Sequence, residues 1–175
     1  SEAGMDPQKD VSIVVAGEGA QTAAMLKANQ IDALSQFDTQ YALVQNAGVK
    51  LRRLAHPGID KFPSNGFIAL EDVLKEKRKQ ATALAKGYAM GTAWAMANPE
   101  AAVRVLWEMY PQTKSQGKSE ADALRDDIAT LEARALSWRY EKVGATKFGE
   151  NVVANYTPYI AWLQKNGVIK ETIPT

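Results

Sequence analysis

Val11-Ser12-Ile13-Val14-Val15-Ala16-Gly17-Glu18-Gly19-Ala20 is the stretch on which the fold reading turns. Its first six residues are β-branched and almost continuously apolar, the pattern of a strand covered on both faces. Gly17-Glu18-Gly19 breaks the run. Gln21 to Ala28 then places Ala24, Met25 and Ala28 at helical spacing. Working outward, Ile31-Asp32-Ala33-Leu34 predicts a second strand and Thr39 to Ala47 a second helix, closed by Gly48 at the C′ position. Val49 to Leu54 and Gly66 to Leu70 predict two further strands, with a turn at His56-Pro57-Gly58 between them. This order, βαβαβ and another strand, predicts an α/β layer with a mostly parallel sheet.

Beyond Leu70 only helical patterns remain. Asp72 can cap a long helix whose stripe runs through Ala81, Leu84, Tyr88, Thr92 and Met96. Asn98-Pro99-Glu100 restarts it, with Asn as N-cap, Pro at N1 and an acid in the first turn. Gln112 to Lys118 reads as a polar loop, and Ser119 with Asp122 resembles a capping box that opens a helix reaching Trp138. A last helix over about 149–165 contains Pro158 and ends at Asn166-Gly167. At the other end, Ala3-Gly4-Met5-Asp6-Pro7 reads as a helix terminus, which predicts further chain before Ser1.

Composition narrows the function. Twenty-one Lys+Arg against twenty Asp+Glu leave a net charge of +1 over 175 residues, which argues against a nucleic-acid binder. No apolar run approaches the roughly 18 residues of a membrane span. With no cysteine and one histidine, His56, there is no thiolate metal site, no histidine cluster, and a single candidate base for a serine triad. His56 itself reads as a solvated loop residue. Asp126, Asp127 and Glu132 share a predicted helix with Arg125 and Arg134 and read as a solvated face with local ion pairs. The four tryptophans read as helix-packing anchors. No catalytic residue, metal site or cofactor is therefore expected.

The Gly17-Glu18-Gly19-Ala20 turn carries the strongest binding signal. Following an apolar strand and opening a helix, it aims backbone N–H groups at the carboxyl-end crevice of the sheet, where anionic or polar groups are held without a charged side chain. Phe37-Asp38-Thr39 stands at the equivalent place after the second strand.

Three runs carry a resemblance: Gly4 to Val11; Gly17-Glu18-Gly19-Ala20-Gln21; and Asn29-Gln30-Ile31-Asp32-Ala33. With Ser64-Asn65-Gly66-Phe67 and Ala97-Asn98-Pro99-Glu100, they resemble, in order, the periplasmic solute-binding proteins of nitrate, sulfonate and taurine ABC importers, of NMT1/THI5-like type. That resemblance implies a non-enzymatic type II clamshell closing on a small anionic or zwitterionic solute and delivering it to an ABC permease. It implies a protein in the periplasm, or extracytoplasmic and membrane-tethered. Residues 1–65 would be most of the second lobe, lacking its first strand and helix; 66–175 would be the returning strand and C-terminal helices of the first. The missing N-terminal part of the same protein would then complete the cleft. Ligand contacts would come from Gly17, Glu18, Gly19, Ala20, Gln21, Phe37, Asp38, Thr39, Ser64 and Asn65. An effector-sensing domain of a transcriptional regulator with the same clamshell is the alternative. The cysteine-dependent thiamine-precursor synthases of this fold do not match a chain without cysteine.

Overall fold

The computed structural model describes residues 4–54 and 62–173; the predicted turn at His56 lies outside them. The chain divides into two compact units, Ser1–Arg52 and Arg53–Thr175. The first holds helices α1 (Ala20–Lys27) and α2 (Asp38–Asn46). The second holds α3 (Glu71–Glu76), α4 (Arg78–Ala97), α5 (Pro99–Met109), α6 (Glu120–Ala135) and α7 (Val153–Lys165). Three short 3₁₀ turns, Pro111–Thr113, Leu136–Trp138 and Tyr140–Val143, link the later helices.

The expected parallel sheet is absent: among the described residues there is no strand at all, and every regular element is helical. The four apolar runs are instead irregular and open. Ile13 is 86% exposed, Val15 94% and Ile68 98%. β-branched composition states only that a segment would fit a pleated, half-buried surface; the ladder and its cover must come from elsewhere in the fold.

The helices follow local chemistry more closely. α1 and α2 end alike, each with a residue in left-handed conformation at C′: Asn29 at φ 53° and Gly48 at φ 86°. In each, the C″ amide returns to the C3 carbonyl, Gln30 N–H to Met25 and Val49 N–H to Val44. That is the Schellman closure, and α7 repeats it at Gly167. Pro158 stays inside α7. The long helix expected from Asp72 is divided at Lys77 into α3 and α4.

Two capping expectations divide. Ser119 Oγ accepts from the Asp122 amide at 3.1 Å and opens α6. Asn98, by contrast, turns its side-chain amide backward to the Trp94 carbonyl at 3.0 Å, closing α4 instead of capping α5. Pro99 at N1 makes a forward cap less necessary, because it has no N–H to satisfy.

In the second unit α3 packs on α4, α4 on α5 and α5 on α6. Val103 and Ala123 are its buried apolar centre. Asp126 and Asp127 are not on a solvated face, as their polarity suggested. Asp126 is 7% exposed and paired with Lys118. Asp127 accepts from the Trp107 indole at 2.7 Å and the Ser115 hydroxyl at 2.6 Å. The same carboxylates fix the 110–119 connection, with Lys114 lying over the Trp107 ring, 4.5 Å from its centroid.

Candidate functional site

Within the first unit, α1 and α2 run parallel. Their N-terminal ends are joined by the Gly19 amide donating to Gln40 Oε1 at 2.9 Å, and their C-terminal ends by Lys27 Nζ donating to the Ala47 carbonyl at 2.6 Å. Two positive helix ends therefore converge beside the Gly17–Gly19 turn. Each helix terminus leaves N–H groups that its own helix cannot use. Here the Ala20 and Thr22 amides have no partner among the described residues, while Gln21 N–H turns back to the Glu18 carbonyl.

The turn depends on glycine at two places. Gly19, the N-cap of α1, sits at φ 49°, ψ −110°, a conformation L side chains rarely adopt; a Cβ there would meet Leu43 Cδ1 at an ordinary 3.6 Å, so the backbone conformation and not space favours glycine. Gly17 has φ 68°, and a Cβ there would lie 2.2 Å from Gln21 Oε1, so the Gln21 side chain folds over the turn only because position 17 is bare.

A latch of neutral side chains fixes this geometry. The fully buried Thr22 hydroxyl reaches the Ala16 and Gly17 carbonyls, each at 3.1 Å. Gln36 Nε2 donates to the Gly17 carbonyl at 2.7 Å and to Thr22 Oγ1 at 3.2 Å; the Gln36 amide in turn donates to Tyr41 Oη. Gln36 Oε1 is buried with no hydrogen-bond partner among the described residues. A buried acceptor in that state costs about 1–3 kcal/mol, which an internal water would offset.

The sequence-derived site residues are thus partly assembled. Gly17, Glu18, Gly19, Ala20 and Gln21 form the turn and the first residues of α1. Phe37, Asp38 and Thr39 form the start of α2, with Phe37 as N-cap, Asp38 Oδ1 accepting the Thr39 amide and the Phe37 ring 67% exposed. Ser64 and Asn65 belong to the second unit, exposed on the segment before α3. Sequence reading missed Thr22, Gln36, Gln40 and Tyr41. Isolated neutral side chains carry no motif, and only the folded turn reveals what they hold.

Among the described residues the charged side chains of this cluster are Glu18 and Asp38 and no cation takes part, so an anionic group would be held by backbone dipoles, as at other helix N-termini. Among the described residues no group of three His, Asp or Glu could hold a metal ion, and no helix is long and apolar enough to cross a membrane.

Neither a curated protein nor a solved structure matches the chain. A family model does: NMT1/THI5 like, over residues 1–102, which takes in the glycine turn, α1, α2 and the chain through α4. That match spans more than half the sequence, and the chain belongs to the NMT1/THI5-like family of solute-binding proteins.

Proposed function

We propose that this chain is the solute-capturing part of an ABC importer. It takes a small anionic or zwitterionic compound of the nitrate, sulfonate or taurine kind and passes it to the permease on the outer side of the cytoplasmic membrane. The observation that carries the reading is the convergence of two parallel helix N-termini on a glycine turn whose Ala20 and Thr22 amides are unpaired. In this reading Gly17, Glu18, Gly19, Ala20 and Gln21 bind the anionic end of the solute through the backbone. Phe37, Asp38 and Thr39 form the facing wall.

Binding needs no covalent step; a ligand that prefers one arrangement of the protein shifts its population toward that arrangement. The experiment is thermal and urea unfolding with taurine, nitrate, alkanesulfonates and pyrimidines. A ligand at 100 times its Kd adds about 2.7 kcal/mol of stability. Stabilisation by at least one of these compounds, lost in Gly19→Ala, is the expected result; no response to any of them contradicts the reading.

A further inference from the structure

The second unit contains a half-open cavity of about 420 Å³ between α4 and the 136–148 segment. Its volume falls within the range of small-molecule sites, which are mostly apolar with a few convergent polar groups. Met96, Trp138 and Tyr140 give it an apolar, aromatic wall. One buried lining residue has an unused polar group. Thr92 is 6% exposed, the only buried residue of α4, yet its hydroxyl has no hydrogen-bond partner among the described residues. A threonine inside a helix ordinarily returns its hydroxyl to the i−4 carbonyl, as Thr130 does to Asp126 at 3.0 Å. Trp138 and Tyr140 are half-exposed, and the indole N–H and the hydroxyl, without a partner among the described residues, remain open to solvent or a ligand. At the rim stand one cation, Arg139, and one anion, Glu141, neither in an ion pair among the described residues.

We infer that this cavity binds a small aromatic zwitterion: a flat ring against Trp138 and Met96, a carboxylate toward Arg139, an ammonium toward Glu141, and a polar atom on the Thr92 hydroxyl. The site lies wholly in the second unit and stands independently of the solute site at α1 and α2.

Titration of the ¹⁵N-labelled 175-residue chain tests it, read at the Trp138 indole N–H resonance, which Trp138→Phe identifies. The probes are L-phenylalanine, phenylacetate and phenethylamine, which share a ring and differ in head group. Saturable shifts are expected with all three. L-phenylalanine should bind tighter than either singly charged probe by about two- to fivefold, the range of one exposed ion pair. Arg139→Gln should bring L-phenylalanine down to the level of phenethylamine. Thr92→Val should weaken L-phenylalanine about fivefold without lowering the stability of the free protein, since no internal bond is lost; a loss of stability would make Thr92 structural and overturn its role. Ala93→Phe, on the exposed surface of α4 that lines the cavity, should abolish binding of every probe while far-ultraviolet circular dichroism stays unchanged. Absence of a saturable shift with any probe overturns the site. Equal binding of the three overturns the zwitterion assignment.

Discussion

The two units hold their polar groups in opposite ways. In Ser1–Arg52 the contacts that fix the glycine turn are neutral: two glutamine amides, a threonine hydroxyl and backbone carbonyls. In Arg53–Thr175 the α5–α6 contact is fixed by charge. Glu120 meets both Lys114 and Arg104, Arg104 also meets Glu100, Asp126 meets Lys118, and Asp127 ties Trp107 to Ser115. Charge braces the α5–α6 pair, whereas the hydrogen bonds that fix the turn are made by neutral groups, with the Glu18 and Asp38 carboxylates beside them. The neutral latch leaves the Ala20 and Thr22 amides unpaired among the described residues. The difference teaches where stability and binding are decided in this chain.

The sharpest way to break the comparison is to disturb the turn. Gly19→Ala places a Cβ on a backbone conformation that strongly favours glycine, and should destabilise the first unit by about 1–3 kcal/mol. Urea unfolding followed by amide resonances of α1 and α2 measures it, with α5 and α6 expected to be unchanged. Next in size is Asp127→Ala, which leaves the Trp107 indole and the Ser115 hydroxyl without their acceptor. A loss of about 2 kcal/mol is expected, read by the same method and by Trp107 fluorescence, now without effect on the first unit. Ser119→Ala removes the α6 cap and should cost about 1 kcal/mol; Ser119→Asp should restore most of it.

The smallest effect is acid sensitivity, which is expected in the second unit and not in the first. Lys114 and Arg104 hold the Glu120 carboxyl below its ordinary range. The Ser119 hydroxyl and Arg125 do so for Asp122, and the Thr146 amide and hydroxyl for Glu150. Carboxylates whose folded pKa is depressed contribute stability that is fully present above the unfolded value of about 4 and is lost as pH falls through the folded values. All three groups are solvent-exposed, so the loss is modest, and raised salt should shrink it. Acid titration should therefore loosen α6 and the 146–150 turn while α1 and α2 hold. Simultaneous loosening of both units would remove the contrast.

How much of this was legible depended on whether the deciding interaction is local. Gly48 and Gly167 announce their helix ends because a left-handed C′ residue is a one-residue requirement. Pro99 and Ser119 announce helix starts for the same kind of reason. Asn29 does the same work as Gly48 and was passed over, since asparagine is a weaker signal there. The strand reading failed because Val11–Ala16 and Gly66–Leu70 describe only what such segments would suit; pairing is set by chain far away in sequence, and no described residue provides it. Asp126 and Asp127 were misplaced because charge predicts exposure unless a partner is known, and Lys118, Trp107 and Ser115 become partners only when α5 and α6 meet. For the candidate site, the turn at Gly17–Gly19 was readable from its position. The latch through Gln36 and Gln40 was not, because it spans 19 to 21 residues of sequence.

The most direct test of the central claim is an amide-resolved titration of the intact chain with taurine and with nitrate, read at Ala20 and Thr22. Saturable shifts at those two amides, absent in Gly19→Ala and unaccompanied by shifts in α5 and α6, are the result the account predicts. Shifts confined to other parts of the chain, or none at either amide, would contradict it.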